Sequence, residues 1–122
     1  MYELDVTREF SAAHHLCGYN GNCAKVHGHN WTVQIFIQCK KLDDVGIGFD
    51  FKILKKELDE VLETLDHQDL NTHEAFLQKN PTSENIAEYI YKFLGSRINT
   101  ENVKVSRVRV CESANSGASY FE

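Results

Sequence analysis

Residues 2–14 read YELDVTREFSAAH and residues 27–38 read HGHNWTVQIFIQ, and these two stretches decide the fold. In the first, Tyr2, Leu4, Val6, Phe10, Ala12 and His14 share one mostly apolar parity, while Glu3, Asp5, Thr7, Glu9 and Ser11 share the other. Successive side chains of a strand leave opposite faces, so this alternation predicts a strand with one face buried. In the second stretch His27, His29, Trp31, Val33, Ile35 and Ile37 fall on one face, with Gly28, Asn30, Thr32, Gln34 and Gln38 mainly on the other. That predicts a second, long strand. Between them LCGYNGNCAKV carries Gly18, Asn20, Gly21 and Asn22 and reads as a loop.

Downstream the period changes. KKLDDVGIG reads as a turn, and Asp50 can cap a helix whose apolar positions Leu54, Leu58, Val61, Leu62 and Leu65 keep a 3.6-residue repeat, ending near LDHQ. A long polar connection, DLNTHEAFLQKN, leads to PTSEN, where Thr82 or Ser83 can cap a second helix carrying Ile86, Ala87, Ile90, Phe93 and Leu94, with Gly95 near its end. VKVSRVRVCE reads as a strand whose apolar phase switches between Val105 and Val108, as a bulge would produce, and SGASYFE as a short last strand. The order ββααββ predicts an α+β architecture: a four-stranded antiparallel sheet with two helices on one face, forming a single domain over 1–122. Such a sheet has open edges, which suggests burial against other subunits.

Composition narrows the function classes. The 122 residues are 42% hydrophobic and 25% charged, values of an ordinary globular domain. A formal net charge of -5 argues against a nucleic-acid or anionic-membrane surface as the main partner. The start, MYELDVTREF, has neither a basic leader nor an apolar core segment, and the expectation is a cytoplasmic protein. Cys17, Cys23, Cys39 and Cys111 form no CxxC pair and are expected as thiols.

The chemistry concentrates in CAKVHGHNW. His27 and His29, one residue apart on a strand, leave the same face, as chelation by an HxH pair requires, and Gly28 between them permits close backbone approach. On the first strand only one of His14 and His15 can share the apolar face, and the parity selects His14. Three imidazoles with a fourth position open are the donor set of a catalytic zinc, whereas the plainer reading is three polar residues at a strand end. Cys23 is a fourth ligand, a buried small hydrophobe or an activated base. Asp66 and His67 form either a relay that orients and charges an imidazole or a helix end with a favourable cation. Glu112 continues the face of Val108 and Val110, where a carboxylate needs a partner.

FSAAHHL, CAKVHGHNW, GFDF, LDHQDLN, NPTSEN and Glu112 occur in the order found in the 6-pyruvoyl tetrahydropterin synthase superfamily, which the chain resembles over nearly its whole length. The short CxxxHGH spacing is similar to the branch that makes 6-carboxy-5,6,7,8-tetrahydropterin for queuosine biosynthesis; biopterin enzymes typically have a longer gap. The resemblance implies a tunnelling fold (T-fold) in which three subunits join sheets into a barrel and two trimers stack into a homohexamer. It implies His14, His27 and His29 as ligands of Zn2+, Cys23 as the proton-abstracting thiolate, and Asp66 with His67 as the relay pair. Glu112 matches the carboxylate that grips the pterin's guanidine-like edge, for which two parallel N–H bonds suit a carboxylate. Thr82 and Ser83 match small hydroxyl residues lining the pterin pocket, and Lys25 is a bare candidate for the triphosphate, a solvated lysine being the plainer reading.

The implied activity is that of a zinc-dependent lyase. It converts 7,8-dihydroneopterin triphosphate to 6-carboxytetrahydropterin, acetaldehyde and triphosphate with no redox cofactor. The competing readings are a 6-pyruvoyl tetrahydropterin synthase, which only eliminates triphosphate, and a catalytically idle pterin-binding zinc module.

Overall fold

A computed structural model describes all 122 residues. The strands are β1 (Tyr2–His14), β2 (His27–Cys39), β3 (Val103–Ser113) and β4 (Ser116–Tyr120), and the helices are α1 (Phe51–Glu63) and α2 (Ser83–Ile98). The sheet runs β1-β2-β3-β4 with every neighbour antiparallel, so the expected ββααββ order and α+β architecture are found. Both helices pack on one face. There Val6, Phe10, Trp31, Val33, Ile35, Ile37, Val105, Val108 and Val110 from the sheet meet Leu54, Leu58, Val61, Leu62, Ile86, Ile90 and Leu94. Each such side chain contributes on the order of 1.5–3 kcal/mol when fully buried. No helix is long and apolar enough to cross a membrane.

The caps form as the sequence predicts. The Asp50 carboxylate accepts from the Lys52 N–H at 2.8 Å, and Thr82 rather than Ser83 caps α2, its hydroxyl accepting from the Asn85 N–H at 3.1 Å. The bulge lies where the apolar phase switches. Phe36 faces Arg107 while Ile37 faces Val105, leaving Ser106 as the extra residue, with its hydroxyl donating to the Phe36 carbonyl at 3.1 Å.

Two boundaries differ from the sequence reading. Helix α1 stops at Glu63, with Thr64 as its cap, two residues short of the Leu65 that the helical period includes. The Thr64 hydroxyl donates to the Val61 carbonyl at 2.8 Å, and the chain then turns so that Asp66 reaches β1. Leu65 stays fully buried from this turn, so the apolar period outlives the helix. Helix α2 runs past Gly95 to Ile98, and the Gly95 carbonyl accepts from the Asn99 N–H at 3.2 Å. The connection between the helices also holds two short 3-10 turns, Leu70–Thr72 and Glu74–Phe76, which bury Leu70 and Phe76.

Candidate active site

The β1–β2 register places His14 opposite His27 and Ala12 opposite His29. Side chains of one parity therefore converge at the open end of this strand pair. One nitrogen from each of His14, His27 and His29 lies within 4.8 Å of the others. Below them Trp31 forms a floor, its ring edge-on to His14 and His29 at centroid separations of 4.9 and 5.2 Å. The indole N–H is spent on the Ala12 carbonyl at 3.2 Å, which fixes the ring.

Two backbone carbonyls set the imidazole tautomers. His14 Nδ1 lies 2.8 Å from the Pro81 carbonyl and His27 Nδ1 lies 2.7 Å from the Lys25 carbonyl. A carbonyl only accepts, so each Nδ1 carries a proton, and in the neutral imidazole that leaves the lone pair on Nε2. His14 Nε2 and His29 Nε2 are buried without any hydrogen-bond partner. Burial lowers the His14 pKa below the usual imidazole value, and the neighbouring His27 and His29 add to this; the Pro81 carbonyl and Glu112 pull the other way. A neutral, buried, carbonyl-oriented imidazole is a ligand prepared for a metal. The donor set fits zinc: three nitrogens of the right softness meet, with two left orphaned in the absence of a cation.

His15 lies outside this group. Its Nε2 sits 3.6 Å from Cys17 Sγ, and its backbone N–H and carbonyl are both held by the Asn71 side chain at 2.9 and 3.0 Å. Glu112 lies at the β3–β4 register shift between Cys111 and Ser113, on the parity of Val108 and Val110. Its Oε2 is 3.6 Å from His29 Nε2 and 3.9 Å from His14 Nε2.

Asp66 and His67 occupy a different place. The Asp66 carboxylate accepts from the Ser11 N–H at 2.9 Å and lies 2.9 Å from His67 Nδ1. The His67 N–H donates to the Ser11 carbonyl at 2.6 Å and the Ala13 N–H to the Gln68 carbonyl at 3.0 Å. This segment thus clamps onto the outer edge of β1. The Ser11 N–H, with help from His67, holds the Asp66 pKa below the ordinary carboxylate value. His67 adopts φ 56°, the left-handed region that non-glycine residues seldom enter, and its side chain is 82% exposed. Cys23 is exposed on a short 3-10 turn, Asn22–Ala24, whose place is fixed by the Leu16 N–H donating to the Cys23 carbonyl at 2.8 Å. Within one chain no hydrogen bond or ion pair ties Asp66 and His67 to Cys23 or to the three imidazoles.

Thr82 serves as the α2 cap and Ser83 is buried beside it. The residue in PTSEN that reaches the histidines is Pro81, through its carbonyl. Neither this group nor the Lys25 carbonyl had a sequence signal, because a backbone oxygen has no residue type. Trp31 had one: it continues the parity of His27 and His29.

A profile described as "PTPS: 6-pyruvoyl tetrahydropterin synthase" matches residues 3–122. The 6-carboxy-5,6,7,8-tetrahydropterin synthase of Bacillus subtilis is 37% identical over 114 residues, covering 89% of this chain and 76% of the relative. A putative enzyme of the same name from Archaeoglobus fulgidus is also 37% identical, over 110 residues, covering 90% and 87%. Among solved structures, Caenorhabditis elegans 6-pyruvoyl tetrahydropterin synthase superposes with a TM-score of 0.86 at 27% identity, covering 99% of this chain and 95% of that one. With the expected sheet, caps and histidine register all in place, the chain belongs to the 6-pyruvoyl tetrahydropterin synthase family.

Proposed function

We propose that this chain is a zinc-dependent 6-carboxy-5,6,7,8-tetrahydropterin synthase acting on 7,8-dihydroneopterin triphosphate in the cytoplasm. The observation that carries the reading is the convergence of His14, His27 and His29, with the Nε2 atoms of His14 and His29 buried and unpartnered, on a site oriented by two carbonyls. Zinc held by these three would supply Lewis acidity and a template for the substrate's side-chain hydroxyls. The thiolate of Cys23, exposed on its turn, would remove a proton from a substrate side-chain carbon, and His67, aimed by Asp66, would move the second. Triphosphate leaves, the ring is reduced at the expense of the side chain, and water enters as the carbon–carbon bond breaks to give acetaldehyde and the 6-carboxylate. Glu112 would accept the N–H groups of the pterin edge, and Thr82 and Ser83 would border the ring.

Two features support a homo-oligomer, a trimer or a dimer of trimers, as the working form. Strand β4 and the part of β1 before Ser11 are open edges. Asp66 and His67 also sit on the outer side of β1, so a site combining them with a thiol and three imidazoles draws naturally on two copies of the chain.

The test is product analysis after incubation with 7,8-dihydroneopterin triphosphate. Acetaldehyde in equal amount to triphosphate is expected. Triphosphate without acetaldehyde would make the chain a pyruvoyl synthase, and neither product would leave a pterin-binding module.

A further inference from the structure

The tautomers leave an electrostatic imbalance at the histidine cluster. As neutral imidazoles, His14 donates its one N–H to the Pro81 carbonyl and His27 its one N–H to the Lys25 carbonyl, which leaves both Nε2 atoms as acceptors. Glu112 adds a carboxylate oxygen, also an acceptor, at 3.9 Å from His14 Nε2 and 3.6 Å from His29 Nε2. A convergence of lone pairs and negative charge, with His14 Nε2 and His29 Nε2 buried and unpartnered, is balanced by a cation between them. The spacing agrees. Zinc bonds of about 2.0–2.2 Å in a tetrahedron put neighbouring donor atoms about 3.4 Å apart, near the 3.6 Å between Glu112 and His29 and about half an ångström inside the 3.9 Å to His14.

We propose that Glu112 is the fourth, displaceable ligand of the metal in the substrate-free chain. This deepens the zinc reading above and rests on it. The carboxylate is suited to exchange, since its side chain is 40% exposed whereas His14 is 2% exposed, and it extends from a bulge rather than from regular ladder. The guanidine-like edge of a pterin lies across two fused rings from the side chain whose hydroxyls would meet the metal. One carboxylate therefore cannot touch the metal and grip that edge in the same pose. Glu112 holds the metal's open position until substrate hydroxyls replace it, and the released carboxylate is then available to N–H donors. This closed resting site would guard the metal against water and adventitious anions between turnovers.

The experiment titrates chelator-stripped full-length chain with zinc against a chromophoric competitor, for wild type, Glu112→Gln and Glu112→Ala, with circular dichroism as the folding control. Outer partners of metal ligands typically account for roughly 10–100-fold in affinity, so losing a direct ligand should weaken zinc binding by at least that much. Cobalt-substituted wild type should give a four-coordinate visible spectrum that both variants change, which a neighbouring charge acting at a distance would not do. The zinc-minus-apo infrared difference spectrum of wild type should carry a shifted carboxylate stretch, a readout that needs no variant. Wild type that takes up zinc with no carboxylate shift, or variants matching it in affinity and cobalt spectrum, would overturn the role of Glu112 alone. A wild type that takes up no zinc would remove the metal reading itself.

Discussion

Replacing His14 and replacing His27 should both abolish metal binding, yet they should differ sharply in what they do to the metal-free chain. His14 is 2% exposed, packs edge-on to Trp31 and supplies the donor for the buried Pro81 carbonyl. His14→Ala opens a cavity and leaves that carbonyl unpaired, a combined cost of about 2–4 kcal/mol. At about 4 °C per kcal/mol for a chain of this length, Tm should fall by about 8–16 °C. His27 is only half-buried, and its bond to the Lys25 carbonyl is at the surface, so His27→Ala should cost below about 1 kcal/mol. Zinc at a hundred times its Kd adds about 2.7 kcal/mol to the native state, or about 10 °C, and this increment should vanish in both variants. Differential scanning calorimetry with chelator and with zinc reads both effects. A His14→Ala chain that keeps its zinc-dependent rise, or that melts with wild type when metal-free, would refute the assignment of His14 as both ligand and buried strut.

Three further outcomes follow from the same geometry. Cys23→Ala should retain zinc while turnover falls about a hundred- to ten-thousand-fold, and Cys17→Ala, equally exposed, should lose far less; metal analysis beside rate measurement separates a base from a ligand. His15→Ala should keep its zinc, because that ring lies against Cys17 rather than in the cluster, and a loss equal to that of His14→Ala would show the strand register to be wrong. Burial holds the His14 pKa below 6.5, so as pH falls through 6.5 the unfolded chain binds the proton first. The metal-free protein should therefore lose stability from about pH 6.5 downward until the lowered native pKa is passed. Denaturant melts across that window, compared with a His14→Phe chain lacking the titrating ring, check the sign.

The sheet was legible because parity is a local property. The alternation in Tyr2–His14 and in His27–Cys39 fixed which residues share a face, and it chose His14 over His15. The switch between Val105 and Val108 located the bulge at Ser106 for the same reason. The end of α1 was not legible, because Leu65 is buried from a turn and prolongs the helical period beyond the helix. Leu70 and Phe76 are buried from isolated 3-10 turns that are too short to show a period. At the site, the residue types announced the imidazoles, while the carbonyls of Pro81 and Lys25 that orient them became visible only in three dimensions. Glu112 keeps the parity of Val108 and Val110, so alternation alone put it on the imidazoles' face, while its closeness to His14 and His29 became visible only in three dimensions.

If three imidazoles hold a zinc that the reaction needs, acetaldehyde formation depends on that metal. Metal-stripped full-length chain titrated with zinc in the presence of 7,8-dihydroneopterin triphosphate, with acetaldehyde production followed at each addition, tests it most directly. Acetaldehyde formation should be negligible without metal, rise in proportion to added zinc and break at about one equivalent per chain, the capacity of a single three-histidine site. Full acetaldehyde production by the metal-free chain, or no production at any zinc level from a chain that binds the metal, would contradict it.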